Sequence, residues 1–122
     1  MGAAGTPKRK VLVVDDDPSW RHMISLELED LGYEPVLAAD GEEALRLLGV
    51  VDCSVILLDL RMPGLDGHEV MARLPPEAPR VVILTAAGMD EVQEALAARP
   101  HYYLPKGAGR HELALMLQSL AA

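Results

Sequence analysis

Short apolar runs alternate along this chain with stretches that carry apolar residues at helical spacing. A strand that is apolar at every position is typical of a parallel sheet covered on both faces, and helices supply the crossovers that parallel strands need. The pattern therefore predicts an α/β protein with five βα units in one doubly wound sheet. The five predicted strands lie at 11–14, 36–38, 55–58, 81–84 and 102–104.

Individual residues mark the predicted boundaries of these elements. Asp17 followed by Pro18 has the order of an N-cap and a first helical residue. Pro35 places the second strand near an edge of the sheet, because proline cannot donate a hydrogen bond to a neighbouring strand. Two pairs have the spacing of a capping box and predict the start of the second and fourth helices. These pairs are Asp40 with Glu43 and Asp90 with Gln93.

Length and composition favour a single domain. The chain has 122 residues, half of them apolar, and no apolar run approaches the ~20 residues that a membrane-spanning helix needs. We expect residues 1–9 to form a flexible N-terminal tail and residues 10–122 to form one folded domain. The basic residues near the start precede only four apolar residues and then three aspartates, unlike a signal peptide. Together with the single cysteine, Cys53, this predicts a cytoplasmic protein.

The charge of the chain argues against binding to nucleic acid. Its formal net charge is −8, whereas nucleic-acid surfaces usually carry a basic patch. The chain has one Trp, three Tyr and no Phe, so a platform of aromatic side chains for base stacking is not expected. An acidic chain can instead form a cleft that binds cations.

Polar side chains follow four of the predicted strands at the point where each strand ends. Asp15 and Asp16 follow the first strand, Asp59 the third, Thr85 the fourth, and Lys106 comes shortly after the fifth. In open parallel sheets, ligands bind outside the carboxyl ends of the strands. In the flavodoxin-like strand order 2-1-3-4-5, these four strands are neighbours. The five side chains are therefore expected to line one crevice.

The chemistry of this set indicates a divalent cation and a phosphoryl group. Three carboxylates in one crevice repel one another unless a cation lies among them. Mg²⁺ prefers oxygen ligands and often joins one or two carboxylates to phosphate oxygens, whereas the crevice offers no His or Cys set for zinc. With Mg²⁺ held by Asp16 and Asp59, an Asp59 oxygen can attack a phosphoryl group. Lys106 and Thr85 can then stabilise the phosphoryl oxygens.

Each of these residues also has an ordinary structural explanation when it is taken alone. Asp59 can mark where a strand leaves the sheet, Thr85 suits a strand, and Lys106 can be a solvated charge. Their convergence on one crevice is what favours function. The four histidines share no metal-ligand spacing and are expected at the surface, and Cys53 is expected at the edge of the core.

Four segments resemble the receiver domains of bacterial response regulators, which act in two-component signalling. VLVVDDDP (11–18) resembles the family's first strand with its acidic pair, and VILLDLRMPGLDG (55–67) resembles the phosphoacceptor strand and the loop beyond it. VVILTA (81–86) resembles the strand with the switch threonine, and YLPK (103–106) the segment with the switch aromatic residue and the lysine. The resemblance covers residues 10–120 and implies the flavodoxin-like (βα)5 fold.

The resemblance assigns a role to each matching position. It implies that Asp59 accepts the phosphoryl group, with Lys106 and Thr85 as its catalytic partners. Thr85 and Tyr103 would be the coupled switch residues that carry the change to the surface. The implied Mg²⁺ ligands are Asp15, Asp16, Asp59 and the backbone carbonyl of Arg61.

The resemblance also implies partners. The phosphoryl donor would be a sensor histidine kinase or a histidine phosphotransfer protein. The face formed by the fourth helix, fifth strand and fifth helix would control an output domain or a partner protein, and a homodimer is a further assembly that the family allows. The domain would catalyse only its own phosphorylation and dephosphorylation, so it is not expected to be an enzyme that acts on a separate substrate.

Two departures from the family's pattern stand near the fifth strand. Gly107 follows the lysine where the family usually has a proline joined by a cis bond, which is costly before any other residue. Arg99 and Pro100 precede the fifth strand where a Gly-Ala pair is typical.

The residues at the strand ends argue against two other functions. A phosphatase with an aspartyl-phosphate intermediate would have a second Asp two residues after the nucleophile, where Arg61 stands here. A flavodoxin-like nucleotide binder would have a glycine-rich loop after the first strand, where this chain has aspartates. A receiver fold that acts as a phosphate-independent interaction module remains the alternative to a phosphoacceptor.

Overall fold

The computed structural model describes residues 8–98 and 102–121. Residues 1–7 of the predicted tail, and the Arg99-Pro100 departure, lie outside the described residues. Within the described ranges, five strands and five helices alternate along the chain. They are β1 (Lys10–Val14), α1 (Pro18–Asp30), β2 (Glu34–Ala38), α2 (Gly41–Leu48), β3 (Val55–Leu58), α3 (Gly67–Arg73), β4 (Arg80–Thr85), α4 (Met89–Ala98), β5 (Tyr102–Pro105) and α5 (Arg110–Leu120).

The strands form one parallel sheet in the order β2-β1-β3-β4-β5, so the predicted fold and strand order are confirmed. β2 lies at an edge, as Pro35 predicted. In the register of the inner strands, Val14 lies beside Leu58, and Leu58 lies beside Ile83. The residues that follow β1 and β3 therefore leave the sheet side by side.

Alternate residues of the strands belong to two apolar clusters, one on each face of the sheet. Leu12 and Leu58 belong to the cluster covered by α2, α3 and α4, whereas Val13 and Leu57 belong to the cluster covered by α1 and α5. All four side chains are almost completely buried, and burying a side chain of this size stabilises the fold by roughly 1.5–3 kcal/mol. The continuously apolar strands thus reflect a sheet with helices on both faces.

The predicted start of α1 is confirmed in detail. Asp17 is the N-cap, and its Oδ1 accepts hydrogen bonds from the backbone amides of Ser19 at 2.9 Å and Trp20 at 3.4 Å. Pro18 is the first helical residue. The helix ends before Gly32, whose φ of +94° is accessible to glycine at little cost.

Two of the capping predictions need correction. The Asp40 side chain accepts from the Glu43 amide at 2.8 Å, as a capping box requires. The Glu43 carboxylate, however, accepts from the Ala39 amide at 2.7 Å and not from the Asp40 amide. The return hydrogen bond of the box is therefore displaced by one residue. The predicted box of Asp90 with Gln93 is wrong, because α4 begins at Met89. Asp90 lies inside the first turn, where a carboxylate interacts favourably with the helix dipole.

A capping box that the sequence reading missed starts α3. Asp66 Oδ1 accepts from the Glu69 amide at 3.0 Å, and Glu69 Oε1 accepts from the Asp66 amide at 3.2 Å. The peptide bond between Lys106 and Gly107 is trans, unlike the bond usual in the family at this position. Among residues 8–98 and 102–121, no helix combines the length and apolar character that crossing a bilayer requires.

Candidate functional site

The two aspartates that directly follow β1 and β3 are buried at the carboxyl edge of the sheet. Asp15 is 0% exposed and Asp59 is 6% exposed. The backbone amide of Asp59 donates to the carbonyl of Val14 at 3.0 Å, which continues the β1–β3 ladder up to the site. The register of two neighbouring strands therefore fixes both carboxylates on one side of the crevice.

The Asp59 carboxylate is held by donors from three segments of the chain. Its Oδ1 accepts from the Thr85 hydroxyl at 2.7 Å and from the Arg61 amide at 3.4 Å. Its Oδ2 lies 3.4 Å from Nζ of Lys106. One oxygen is thus fixed by hydrogen bonds, and the other faces a positive charge across the crevice.

Gly67 lets α3 pack directly against the backbone of Asp59. A Cβ atom at Gly67 would lie 2.3 Å from the Asp59 carbonyl oxygen and 2.7 Å from Cα of Leu60. The Gly67 amide also donates to the Leu60 carbonyl at 3.1 Å. Glycine is therefore required here by close approach of two backbones and not by its φ angle.

Asp15 and Lys106 form a short ion pair inside the crevice. Nζ of Lys106 lies 2.6 Å from Asp15 Oδ2, although the geometry is not that of a directed hydrogen bond, so this buried oxygen lacks one. Burial raises the pKa of Asp15 and outweighs the opposite effect of Lys106. Burial would lower the pKa of Lys106, but its contacts with Asp15 and Asp59 outweigh burial and raise that pKa. Lys106 therefore stays protonated.

Two residues of α1 that the sequence reading did not assign to the site support this ion pair. The ring of Trp20 lies beneath Lys106, with Nζ 4.8 Å from the ring centroid, a favourable cation–π distance. Arg21 Nη1 donates to the backbone carbonyl of Asp15 at 2.7 Å. The first turns of α1 thus hold both the lysine and the acidic segment.

Three carboxylates of the crevice suit a hard divalent cation. Asp15, Asp16 and Asp59 each offer one oxygen, and these atoms all lie within 4.8 Å of one another. Asp16 is exposed while the other two are buried, so the set opens toward solvent on one side. The all-oxygen donor set fits Mg²⁺, and a cation would offset the repulsion among the three carboxylates. The proposed role of the Arg61 carbonyl stays a prediction.

Comparison with protein families identifies the chain. The model of the response regulator receiver domain matches residues 11–118. The chain belongs to the response regulator receiver family.

Curated relatives of this receiver domain are longer proteins. It is 40% identical over 112 residues to the positive alginate biosynthesis regulatory protein of Pseudomonas aeruginosa, a match that covers 88% of this chain and 45% of that protein. It is 37% identical over 114 residues to response regulator MprA of Mycolicibacterium vanbaalenii, covering 91% and 49% of the two chains. The chain thus spans less than half the length of these relatives.

Solved receiver domains share the fold over nearly their whole length. Chemotaxis protein CheY4 of Vibrio cholerae is 33% identical, with a TM-score of 0.82 and coverage of 93% of this chain and 99% of that one. The receiver domain of a sensor histidine kinase from Pseudomonas aeruginosa, solved with a magnesium ion in its active site cleft, is 32% identical, with a TM-score of 0.84 and coverage of 94% and 98%. Response regulator TrrA of Thermotoga maritima, solved with Mg²⁺ and BeF, is 31% identical, with a TM-score of 0.82 and coverage of 92% and 98%.

In this receiver domain, Thr85 already contacts the predicted phosphoacceptor. Its hydroxyl donates to Asp59 and accepts from the Ala87 amide at 3.2 Å, so it joins the site to the loop before α4. Tyr103 is half-buried on β5 and packs against the apolar cluster beneath α2, α3 and α4. The switch roles of Thr85 and Tyr103 stay predictions.

A second polar cluster of the receiver domain was not found from the sequence. Nε of Arg61 lies 2.8 Å from Glu91 Oε1, and Nε2 of His68 lies 3.2 Å from Glu91 Oε2. The hydrogen bond from Arg61 lowers the pKa of Glu91 and outweighs the opposite effect of burial, and the contact with His68 lowers this pKa further. Arg61 and Glu91 are 30 residues apart, so no local pattern joins them.

The other residues expected to be structural can now be placed. Cys53 is buried against the core, as expected. His22 and His111 are exposed. His68 is half-buried and has the Glu91 contact, and His101 lies outside the described residues.

Proposed function

We propose that Asp59 accepts a phosphoryl group from the phosphohistidine of a sensor histidine kinase or a histidine phosphotransfer protein. The observation that carries the proposal is the position of the Asp59 carboxylate. It lies within 4.8 Å of ligand atoms on Asp15 and Asp16, and its Oδ2 is 3.4 Å from the Lys106 ammonium. A carboxylate nucleophile, two further carboxylates and a cation are the groups that phosphoryl transfer to an aspartate requires.

Each residue of the crevice has a separate role in the proposed reaction. An oxygen of Asp59 forms a bond to phosphorus as the P–N bond of the phosphohistidine breaks, and the electron pair stays with the departing histidine nitrogen. Lys106 and the Thr85 hydroxyl, which both contact the Asp59 carboxylate, would donate to the phosphoryl oxygens. Mg²⁺ held by Asp15, Asp16, Asp59 and the Arg61 carbonyl would neutralise negative charge on the phosphoryl group.

The proposal includes a conformational response and a place of action. Thr85 and Tyr103 pass the change to the face of α4, β5 and α5, which a partner, an output domain or a second copy of the chain reads. The exchange takes place in the cytoplasm. The domain catalyses only its own phosphorylation and dephosphorylation, and so does not turn over a separate substrate.

Intact-mass measurement after incubation with acetyl phosphate tests the proposal directly. We expect one phosphoryl adduct on the wild-type chain with Mg²⁺ and none with EDTA. Asp59→Ala removes the adduct, because it removes the nucleophile. Asp52→Ala is the matched control, since it deletes a carboxylate at the opposite end of β3 and keeps the adduct.

Absence of the adduct from folded wild-type chain in Mg²⁺ would overturn the proposal. If intrinsic fluorescence from Trp20 also failed to respond to Mg²⁺, the phosphate-independent interaction module would replace it. Trp20 is a suitable reporter because it contacts Lys106 and is the single tryptophan of the chain.

A further inference from the structure

Arg61 begins beside the phosphoacceptor but extends away from it. Its backbone amide lies 3.4 Å from Asp59 Oδ1, so the main chain of Arg61 is next to the Asp59 carboxylate. Its side chain, 71% exposed, nevertheless runs to the first turn of α4, where Nε meets Glu91 Oε1 at 2.8 Å. The guanidinium is thus drawn to α4 by one specific carboxylate.

Glu91 is itself fixed by a second contact. Its other oxygen lies 3.2 Å from Nε2 of His68, on the first turn of α3. A carboxylate held at both oxygens loses less conformational entropy when it binds Arg61 than a free side chain would. The three side chains therefore join the loop after β3, the start of α3 and the start of α4.

Phosphorylation would give Arg61 a second anionic partner. A phosphoryl group carries roughly −1.5 to −2 charges and three strong acceptor oxygens. Arginine pairs with phosphate through charge-assisted, often bidentate hydrogen bonds. A phosphoryl group on Asp59 would lie close to the backbone of Arg61.

We propose that Glu91 is a positioning residue for Arg61, and that a phosphoryl group on Asp59 competes with Glu91 for the guanidinium. Before phosphorylation, Glu91 keeps the Arg61 side chain on α4 and the crevice open. After phosphorylation, Arg61 turns to the phosphoryl oxygens, and Glu91 retains only its contact with His68. The first turn of α4 thereby loses its link to the loop after β3. This inference rests on the proposed phosphorylation of Asp59 and deepens it.

Titration with beryllium fluoride in the presence of Mg²⁺, followed by Trp20 fluorescence, tests the competition. Glu91→Gln removes the competing charge and is expected to tighten apparent binding of beryllium fluoride by about two- to five-fold, the range for a partly exposed ion pair. Arg61→Ala is expected to weaken binding by a similar factor. Its backbone carbonyl stays in place, so the proposed metal ligand is kept.

The combined variant separates positioning from general effects on the fold. In the Arg61→Ala background, Glu91→Gln should leave the affinity unchanged, because no guanidinium remains to be released. Glu94→Gln is the matched control, since it removes the same charge from an exposed position of α4 and should also leave the affinity unchanged.

The outcomes distinguish the two proposals. If wild-type chain neither binds beryllium fluoride nor forms the acetyl phosphate adduct, the proposed function fails. If the wild-type chain does both, two results would overturn the competition alone. Glu91→Gln would bind beryllium fluoride like wild type, or it would tighten binding by the same factor in the Arg61→Ala background.

Discussion

The two ends of the sheet are built from the same strands but have opposite character. At the carboxyl end, Asp15, Asp59 and Thr85 are buried polar groups gathered around Lys106. At the amino end, a cleft of about 350 Å³ lies between the α2–β3 and α3–β4 connections. Its walls are mostly apolar and consist of Leu48, Val51, Asp52, Cys53, Pro75, Glu77, Ala78 and Pro79.

The buried polar groups at the carboxyl end lower the stability of the fold but provide its chemistry. β1 is apolar from Val11 to Val14 and β3 from Val55 to Leu58, and an aspartate directly follows each strand. Burying ionised groups costs free energy that apolar packing at the other end does not cost. We therefore expect removal of a buried charged group at the carboxyl end to change ligand binding and stability in opposite directions, and changes at the amino end to alter stability alone.

The largest effect is expected where the carboxyl end depends on backbone contact. Gly67→Ala would place a Cβ 2.3 Å from the Asp59 carbonyl oxygen, so one of the two backbones must move. Overpacking of this kind lowers the free energy of unfolding by about 1–3 kcal/mol and should also slow formation of the acetyl phosphate adduct. Urea unfolding and intact-mass kinetics measure the two effects.

Gly88→Ala provides the control for that substitution. A Cβ at Gly88 meets no atom within 4 Å, so stability and adduct formation should stay close to wild type. Equal losses in both variants would show that Gly67 is not specially required by its contact with Asp59.

A smaller effect of opposite sign is expected at Asp15. Because burial raises the pKa of Asp15, the folded chain binds the proton more tightly than the unfolded chain, and ionisation costs stability as the pH rises through the folded pKa. Asp15→Asn at neutral pH without Mg²⁺ should therefore raise the free energy of unfolding by about 0.5–2 kcal/mol.

In the presence of Mg²⁺, the wild-type chain should become more stable than Asp15→Asn. A ligand at a hundred times its Kd stabilises the folded state by about 2.7 kcal/mol, a gain expected for wild type and largely lost in Asp15→Asn. Asp52→Asn at the amino end should change stability by no more than about 0.5 kcal/mol in either condition. If Asp15→Asn were less stable than wild type in EDTA, the expectation that the buried Asp15 carboxylate lowers stability would be wrong.

The smallest effect is expected at the amino end. Cys53→Ala removes one buried sulfur and should lower the free energy of unfolding by about 0.5–1.5 kcal/mol. Adduct formation on Asp59 should keep its wild-type rate. Burial also raises the pKa of the Cys53 thiol, so alkylation of native chain at neutral pH should be slow and should become fast in urea. A changed phosphorylation rate would show that the two ends are coupled.

The sequence predicted the parts of the molecule that depend on strands and their ends. Asp15 and Asp59 could be placed because each directly follows an apolar run, and parallel strands in register bring such residues together. The link from Arg61 to Glu91 could not be predicted, because neither residue lies in a pattern that specifies its partner. The contact of Trp20 with Lys106 could not be predicted either, because it depends on how α1 packs against the sheet.

Capping shows a different limit of the sequence. The spacing of Asp90 and Gln93 fits a capping box, but an acidic residue in the first turn of a helix has equal physical support. The Asp66–Glu69 box lay in a segment rich in glycine and proline, where the loop signal obscured the helix signal. Local signals therefore predicted that helices exist more reliably than where they begin.

Both open edges of the sheet carry a proline on the outward side. The Glu34 amide and the Ala38 carbonyl bond to the β1 side, so by alternation Pro35 faces away from the sheet. The Lys106 amide bonds to the Thr85 carbonyl, so Pro105 likewise faces outward on β5. Each edge thus lacks one of its outward amide donors, which discourages addition of another strand and edge-to-edge aggregation. A partner that docks along β5 must therefore recognise side chains, because the main chain there is a poor template for extending the sheet.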